Sequence, residues 1–310
     1  MLSFIVSFRN FYYMWIFYGL LSHLAWAFVN TGDKYLLSNR IKHPIVYLHL
    51  LGSIFGIIGF IGLVIFGFPI LDFVTLGRIF LAGALWFFGG LPYLFAVKIE
   101  EVTRINIWWS LIAVFSFLLG FILFGETLTL REGIGFGILV GAAAIAAVHV
   151  SRGVAIFSKA VLYMAAACLV YALYAVILHD VMQTVSFGTT FLWTSVSIGI
   201  SAQFLLFFSK VRKRIKAEAL YGKKRTMVFA VGIAITDQIG SFLNHAALAL
   251  APAALVFSME GSQVLFVFLI TIIVARFNKD LLKESFEKKN LLLKIFATGL
   301  MLIGIWILAI

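Results

Sequence analysis

The sequence predicts an all-α polytopic membrane protein with ten transmembrane helices in two inverted five-helix repeats. Hydrophobic residues make up 63% of the 310 residues and charged residues only 12%, and the mean hydropathy is +1.09. Soluble domains are roughly 45–50% apolar and about 25% charged, so a soluble fold of this length lacks the interior for so much apolar side chain. The lengths and the order of the apolar runs give the number of helices.

The apolar runs are long enough to cross a bilayer, because a spanning helix needs about 20 apolar residues. Charge clusters and Gly, Pro or Asn turns separate ten of them. They cover residues 12–30, 44–67, 73–97, 103–124, 132–150, 159–178, 187–209, 227–250, 253–276 and 291–310. Most connections are short, which predicts that consecutive helices are antiparallel neighbours. The two longer connections, 210–226 and 277–290, are basic.

The two halves of the chain resemble each other, which predicts one five-helix unit over 12–150 and a second over 159–310. A shift of 150 residues places Ser110 on Glu260. Because each unit has an odd number of spans, the second would be inverted in the membrane relative to the first. Many transporters are built this way, with the substrate site between the repeats near the bilayer midplane.

The net charge of +11 comes from basic residues in the connections, a distribution that encodes topology and does not indicate nucleic-acid binding. With ten spans, nearly all Lys and Arg residues fall on one side of the membrane, including the cluster 210–216. The opposite side carries only Arg9, Arg78 and Arg131. The positive-inside rule then places both termini outside the cytoplasm.

Two carboxyls lie deep within apolar runs, Glu260 in 253–276 and Asp237 in 227–250. A carboxyl at membrane depth costs roughly 2.5–3.5 kcal/mol on insertion scales, so such residues usually face a cavity. Gln263 follows Glu260 by three residues and shares its helix face. We expect these side chains to contact a substrate or exchange a proton. The alternative is a structural hydrogen bond to a neighbouring helix.

Other polar and aromatic side chains at helical spacing extend this predicted cavity. Gln238, Ser241 and Asn244 follow Asp237 on the same run. Candidates on the third, fourth and sixth runs are Trp86, Tyr93, Asn106, Ser110, Tyr171 and Tyr174. Interhelical hydrogen bonds, packing and the aromatic belt at the membrane interface are the alternative roles for these residues.

The first run carries a polar and aromatic stripe of its own. His23, Trp26 and Asn30 recur at spacings of three and four residues, as on one face of a helix. Asp33 and Lys34 follow near the end of the run, where we expect them to be anchors at the membrane interface.

Glycines at helical spacing predict close helix packing in two places. Glycines 52, 56, 59 and 62 form a small-residue face on the second run, and Gly133, Gly137 and Gly141 form one on the fifth.

Residues 119–129 (LGFILFGETLT) run into the glycine-rich segment 133–142. This segment has an apolar helix, then a Gly-Glu step, a nearby Leu and a Gly-rich helix. The order resembles the fourth-to-fifth helix junction of the EamA-like family in the drug/metabolite transporter superfamily. The resemblance implies ten helices, two five-helix repeats and carrier-type transport of small metabolites. Members of the family have cytoplasmic termini, opposite to the charge count.

The second half supplies a partial match to the same family. Residues 249–253 followed by Met259-Glu260 are similar to its eighth-to-ninth helix region, with Gly261 in place of a proline. A second Gly-Glu step is missing, because Ala275-Arg276 stand in its place.

The prediction is therefore a secondary carrier that moves a small metabolite, such as an amino acid or a related solute, by alternating access. Either the solute gradient or proton exchange through Glu260 or Asp237 would drive it. The sequence contains no GxxxxGK[ST] phosphate loop, HExxH or GxSxG motif, so we do not expect an enzyme of those classes.

The expected partners are the small-molecule substrate and membrane lipid, without nucleic acid, cofactor or metal, in the plasma membrane of a prokaryotic cell. The alternative function is an integral-membrane enzyme or flippase for a lipid or isoprenoid phosphate. In that case the basic loop 210–225 would bind the phosphate.

Overall fold

The computed structural model describes residues 2–100, 102–147, 159–218, 224–277 and 288–309. All regular elements in these ranges are helical, as predicted. They are α1 (Leu2–Asn39), α2 (Pro44–Phe66), α3 (Phe73–Ile99), α4 (Val102–Trp108), α5 (Leu111–Phe124), α6 (Leu130–Ala147), α7 (Lys159–Val181), α8 (Phe187–Phe204), α9 (Ser209–Ala217), α10 (Lys224–Leu248), α11 (Ala253–Ser258), α12 (Glu260–Phe277) and α13 (Lys288–Ala309). A 3₁₀ turn, Leu205–Phe207, joins α8 to α9.

Six spans in the described part are long and apolar enough to cross a membrane. They are α2, α3, α7, α8 with its 3₁₀ turn, α10, and α11 together with α12. Large apolar side chains cover the outer surface, such as Phe66 at 79% and Leu162 at 73% exposed, whereas many polar side chains are buried. This distribution suits a hydrocarbon environment, and the chain has the architecture of a multi-pass membrane protein.

Two predicted spans are broken helices. The run 103–124 divides into α4 and α5 around Trp109 and Ser110, and the run 253–276 divides into α11 and α12 at Met259. At both breaks a backbone N–H donates to the carbonyl three residues earlier in the chain. Ile112 N–H donates to the Trp109 carbonyl, and Met259 N–H donates to the Val256 carbonyl. A 3₁₀-type turn inside a helix often marks a functional position.

The first predicted span ends too early, because α1 continues nine residues past residue 30 to Asn39. The predicted fifth span agrees with α6 as far as Ala147, and residues 148–150 lie outside the described part. The last predicted span lies within α13, apart from residue 310, which also lies outside.

The junction at Gly125-Glu126 follows from backbone geometry. Gly125 ends α5 in the left-handed conformation, with φ of 68°, and its N–H donates to the Phe121 carbonyl at 3.1 Å. Glu126 then folds back over α5, where a Cβ on Gly120 would lie 2.5 Å from the Glu126 Oε2. The turn therefore favours glycine at position 125, Gly120 leaves room for the Glu126 side chain, and Glu126 lies at a helix end.

Glycines set the distance between α2 and α8. A Cβ on Gly56 would lie 2.5 Å from the Gly199 Cα, and one on Gly59 would lie 2.8 Å from the Leu192 carbonyl oxygen. The predicted packing role of the α2 glycines is confirmed. In lipid, such small-residue contacts allow helices to approach closely.

The corresponding prediction for α6 is wrong. No described atom lies within 4 Å of a Cβ built on Gly133, Gly137 or Gly141. The face of α6 that packs against α13 holds Gly135 and Leu139 instead, with a Gly135 Cβ 2.7 Å from the Leu308 side chain. The packed face is rotated away from the glycine stripe.

The two ends of the bundle differ in charge. At one end, α9 buries Val211 and Ile215 and exposes its Lys and Arg residues, and Glu218 accepts the Lys42 N–H at 2.8 Å. We call this the basic end. The opposite end, which we call the acidic end, holds Asp72, Glu126, Glu132 and Asp180, together with Arg78 and Arg131.

We predict that Gly56→Ala lowers the stability of the protein by about 1–3 kcal/mol, because the added methyl group forces α2 away from α8. The measurement is the thermal unfolding midpoint in detergent. The matched control is Gly77→Ala on α3, where no described atom lies within 4 Å of the new Cβ. An equal midpoint for the two variants would contradict the prediction.

Candidate functional site

A cavity lies between the helices, from the middle of the bundle toward the basic end. It draws on both halves of the chain, and the carboxyls of α1, α10 and α12 meet aromatic rings from α1, α3, α7 and α11 there. The described lining residues are Trp26, Val29, Asn30, Asp33, Leu48, Leu51, Trp86, Gly90, Tyr93, Leu94, Trp109, Ile112, Tyr171, Tyr174, Asp237, Phe257, Glu260 and Gln263.

The predicted stripe of α1 forms one side of this cavity. Trp26 Nε1 donates to Asp237 Oδ1 at 2.9 Å and so joins α1 to α10. The Trp26 ring stacks on Phe257 with 7° between the planes. A Cβ on Gly240 of α10 would lie 2.9 Å from the Trp26 Nε1, so that glycine makes room for the indole.

Asp33 continues the stripe, and its predicted position at the membrane interface is wrong. The side chain is only 1% exposed, and it accepts hydrogen bonds from the Tyr47 hydroxyl at 2.6 Å and the Tyr93 hydroxyl at 2.9 Å. Its spacing of three residues from Asn30 was the sequence signal. Because α1 extends to Asn39, Asp33 lies inside the bundle.

Lys34 also differs from the expected anchor. Its ammonium donates to the carbonyl oxygens of Val97 at 3.0 Å and Glu100 at 2.6 Å. These carbonyls end α3, and a cation at a helix C-terminus is favourable.

A chain of side-chain hydrogen bonds runs behind the cavity surface. The Tyr93 hydroxyl contacts Asn30 Oδ1 at 2.7 Å, and Asn30 Nδ2 donates to Asn106 Oδ1 at 2.8 Å. Gln263 Nε2 donates to the same Asn106 oxygen at 2.7 Å. Gln263 Oε1 lies 3.2 Å from His23 Nδ1. The chain links α1, α3, α4 and α12.

Glu260 is the first residue of α12, immediately after the helix break. Its side chain is buried, its Oε1 lies 3.7 Å from His23 Nδ1, and its Oε2 has no hydrogen-bond partner among the described atoms. The N–H groups at the start of a helix favour a negative charge there. Glu260 therefore presents an acceptor to the cavity.

The aromatic residues pack as one surface. Trp109 lies 5.1 Å from Tyr93 and 5.3 Å from Tyr171 between ring centroids, and Tyr171 also contacts Trp86 at 6.0 Å and Tyr174 at 6.3 Å. These rings lie in the interior, which excludes the interfacial belt for them. Trp109 was absent from the predicted site, although its position beside Ser110 offered a signal.

Several predicted residues lie off the cavity surface. His23 and Asn106 form the hydrogen-bond chain behind it, and Gln238 accepts from Ser195 of α8 at 3.3 Å. The other three, Ser110, Ser241 and Asn244, do not line it either. Ser110 lies at the helix break, and Ser241 and Asn244 are buried further along α10 toward the acidic end.

A group of contacting charged side chains, which we call the end cluster, lies at the acidic end. Arg78 of α3 pairs with Asp180 of α7, and His179 Nε2 lies 3.8 Å from Glu126 Oε1. His179 Nδ1 also lies 2.5 Å from the Leu248 carbonyl oxygen at the end of α10. Partial burial raises the pKa of Glu126, His179 opposes this effect and Asp180 adds to it. His179 and Asp180 therefore both have side-chain partners at this end of the bundle.

A protein of known crystal structure superposes on this chain with a TM-score of 0.63, over 97% of this chain and 96% of the other. The sequence identity is 15%, so the likeness shows the fold alone. No protein-family model and no curated protein matches the chain.

We predict that Tyr93→Phe destabilises the protein by about 1–3 kcal/mol, because a buried carboxylate oxygen of Asp33 loses its donor. Thermal unfolding in detergent measures the effect. Tyr163→Phe, at an exposed tyrosine of α7, is the control and should leave the midpoint unchanged. A Tyr93→Phe protein as stable as the control would show that the hydroxyl contributes nothing.

Proposed function

We propose that the chain is a ten-helix secondary carrier of the EamA-like type, which moves a small metabolite by alternating access. The observation that carries the proposal is the cavity between the helices, with its buried carboxyls and aromatic rings drawn from both halves of the chain. Soluble solutes cross membranes through such sites in many transporters. A pair of five-helix units, 12–150 and 159–310, would form the two inverted repeats.

The packing of the helices supports the inverted repeats. Helix α1 of the first half packs on α10 and α12 of the second half. Helix α7 of the second half packs on α3 and α5 of the first half. This is the relation expected if α1 corresponds to α7, α10 to α3 and α12 to α5. The pairs α2 with α8 and α6 with α13 would then lie across the axis that relates the halves.

The helix breaks support the same arrangement. The break at Ser110 and the break before Glu260 fall on equivalent positions under the shift of 150 residues. Each broken pair, α4 with α5 and α11 with α12, would make one span, and α1, α6 and α13 would complete the ten. Broken helices near the midplane carry substrate and ion sites in secondary transporters.

The alternative, an integral-membrane enzyme or flippase for a phosphorylated lipid, fits the site less well. Such chemistry needs basic groups beside the reacting phosphate. The exposed Lys and Arg residues of α9 lie on the surface of the basic end, whereas the carboxyls line the interior cavity.

We predict solute uptake by the purified protein in proteoliposomes, driven by a pH gradient. Amino acids, nucleosides and sugars form the screening set. Glu260→Gln should lower uptake about tenfold or more, which corresponds to about 1.4 kcal/mol of lost interaction, and should remove the dependence on the gradient. Glu132→Gln is the control, because Gln can replace Glu in the helix cap that Glu132 forms with Thr129. Uptake with unchanged pH dependence in Glu260→Gln would remove its proton role.

Alternating access predicts that the end cluster stabilises the state closed at the acidic end. Arg78→Gln should raise access through that end about two- to fivefold, because a half-exposed ion pair contributes up to about 1 kcal/mol. The readout is labelling of Leu51→Cys, a cavity position, in a Cys168→Ala background, from each side of oriented vesicles. Arg131→Gln, an exposed residue at the same end, is the control. Equal labelling in all variants would contradict this gating role.

A further inference from the structure

We propose that the cavity binds an organic cation, an ammonium group carried on an apolar or aromatic frame. The inference rests on the proposed carrier function and specifies its substrate class. It departs from an amino-acid substrate, because a carboxylate group would meet three carboxyls and no cationic side chain among the described lining residues. Three sets of observations support it: the charges, the hydrogen-bond donors and the aromatic rings.

The charges of the cavity are one-sided. Asp33, Asp237 and Glu260 line it, and none of the lining residues that the structure describes is Lys, Arg or His. Lys34, next to Asp33, directs its ammonium to the carbonyls that end α3. A nearby cation stabilises the ionised form of a buried carboxyl. Behind the cavity surface His23 Nδ1 lies 3.7 Å from Glu260 Oε1. A positively charged substrate supplies such a cation, whereas an anion adds to the repulsion.

Three nitrogen donors of the cavity are engaged with other helices, and the neutral hydroxyls of Tyr171 and Tyr174 also line it. Trp26 Nε1 donates to Asp237, and the amide N–H groups of Asn30 and Gln263 both donate to Asn106. A carboxylate that used these nitrogen donors would have to break bonds between helices, and the tyrosine hydroxyls offer it no positive charge. In contrast, Glu260 Oε2 is an acceptor without a partner among the described atoms, in a side chain that is 3% exposed. An ammonium N–H group satisfies that oxygen.

The aromatic rings suit the rest of such a cation. Trp26 and Phe257 stack in parallel at 6.4 Å beside Asp237, and Trp86 and Trp109 lie edge-on to Tyr171. Ring faces attract ammonium groups, more strongly when water is excluded. A metal ion fits less well, because the described residues contain no group of three His, Cys, Asp or Glu side chains placed to hold one.

The test uses four ligands that share a phenyl ring and differ in charge. They are 2-phenylethylamine, phenyltrimethylammonium, the neutral 2-phenylethanol and the anion phenylacetate. Binding is measured at pH 7 by quenching of tryptophan fluorescence and by thermal stabilisation of the detergent-solubilised full chain. We expect both cations to bind at least about tenfold more tightly than the alcohol, and phenylacetate to have no effect.

Variants locate the site. Asp237→Asn and Glu260→Gln should each weaken binding of 2-phenylethylamine at least about tenfold and leave 2-phenylethanol unaffected. Glu132→Gln, at the acidic end, should bind the amine as the parent protein does. Because the ligand series is also measured on the unmodified protein, the inference stays testable if a variant fails to fold. Equal binding of the alcohol, or tighter binding of phenylacetate, would overturn it.

Transport separates this inference from the function on which it rests. Radiolabelled 2-phenylethylamine is added to proteoliposomes that contain the protein. Binding without transport of any solute would support the cation site and reject the carrier. Transport of a neutral or anionic solute, with no binding of either cation, would reject the cation site and keep the carrier.

Discussion

A helix surrounded by lipid has no water to pair its polar side chains, and this constraint organises the bundle around α1. Each residue of the α1 stripe has its partner on another helix. Trp26 bonds to α10, Asn30 to α4, and Asp33 to both α2 and α3. Because a displaced α1 would leave these groups unpaired in hydrocarbon, the stripe fixes several helices at once. The cavity is the space enclosed by those pairs.

Apolar packing alone would not fix the relative positions of the helices. Lipid tails are as apolar as leucine, so apolar contact distinguishes weakly between helix and lipid. The structure therefore combines two kinds of specific contact. Gly56 against Gly199 lets the backbones of α2 and α8 meet, and the chain through Asn30, Asn106 and Gln263 fixes the rotation of α1, α4 and α12. The glycines set the distance between helices, and the side-chain amides fix how each helix is rotated about its axis.

The arrangement of charge gives the interior its chemical character. Basic side chains lie mostly on the surface of one end, the ion pairs of the end cluster lie at the other, and the described cavity residues contribute carboxyls without a cation. This asymmetry is the basis of the cation site that we propose. A carrier built this way would couple its occupant to its conformation, because α1 packs against both α10 and α12, the helices that supply the other two carboxyls.

Composition and periodicity predicted the helical class, most helix positions and much of the candidate site. Glu260 and Asp237 were identifiable because a carboxyl in an apolar run is costly, and Trp26 and Asn30 because they repeat at helical spacing. The same reasoning could not predict how far along its helix, relative to the cavity, each side chain lies. Asp33, expected at the membrane interface, reaches the cavity, and Asn244, expected in the cavity, lies beyond it, since spacing defines a helix face and leaves open what covers that face.

The sequence by itself determined that the chain forms apolar helices with polar stripes, because those features depend on residues a few positions apart. Only the tertiary structure decided which stripes meet. His23 and Gln263 are in contact although 240 residues separate them, and Trp26 bonds to Asp237 across 211 residues. Local patterns carry no information on such pairs, since they form only when the helices pack together and the unpaired polar groups are brought into contact.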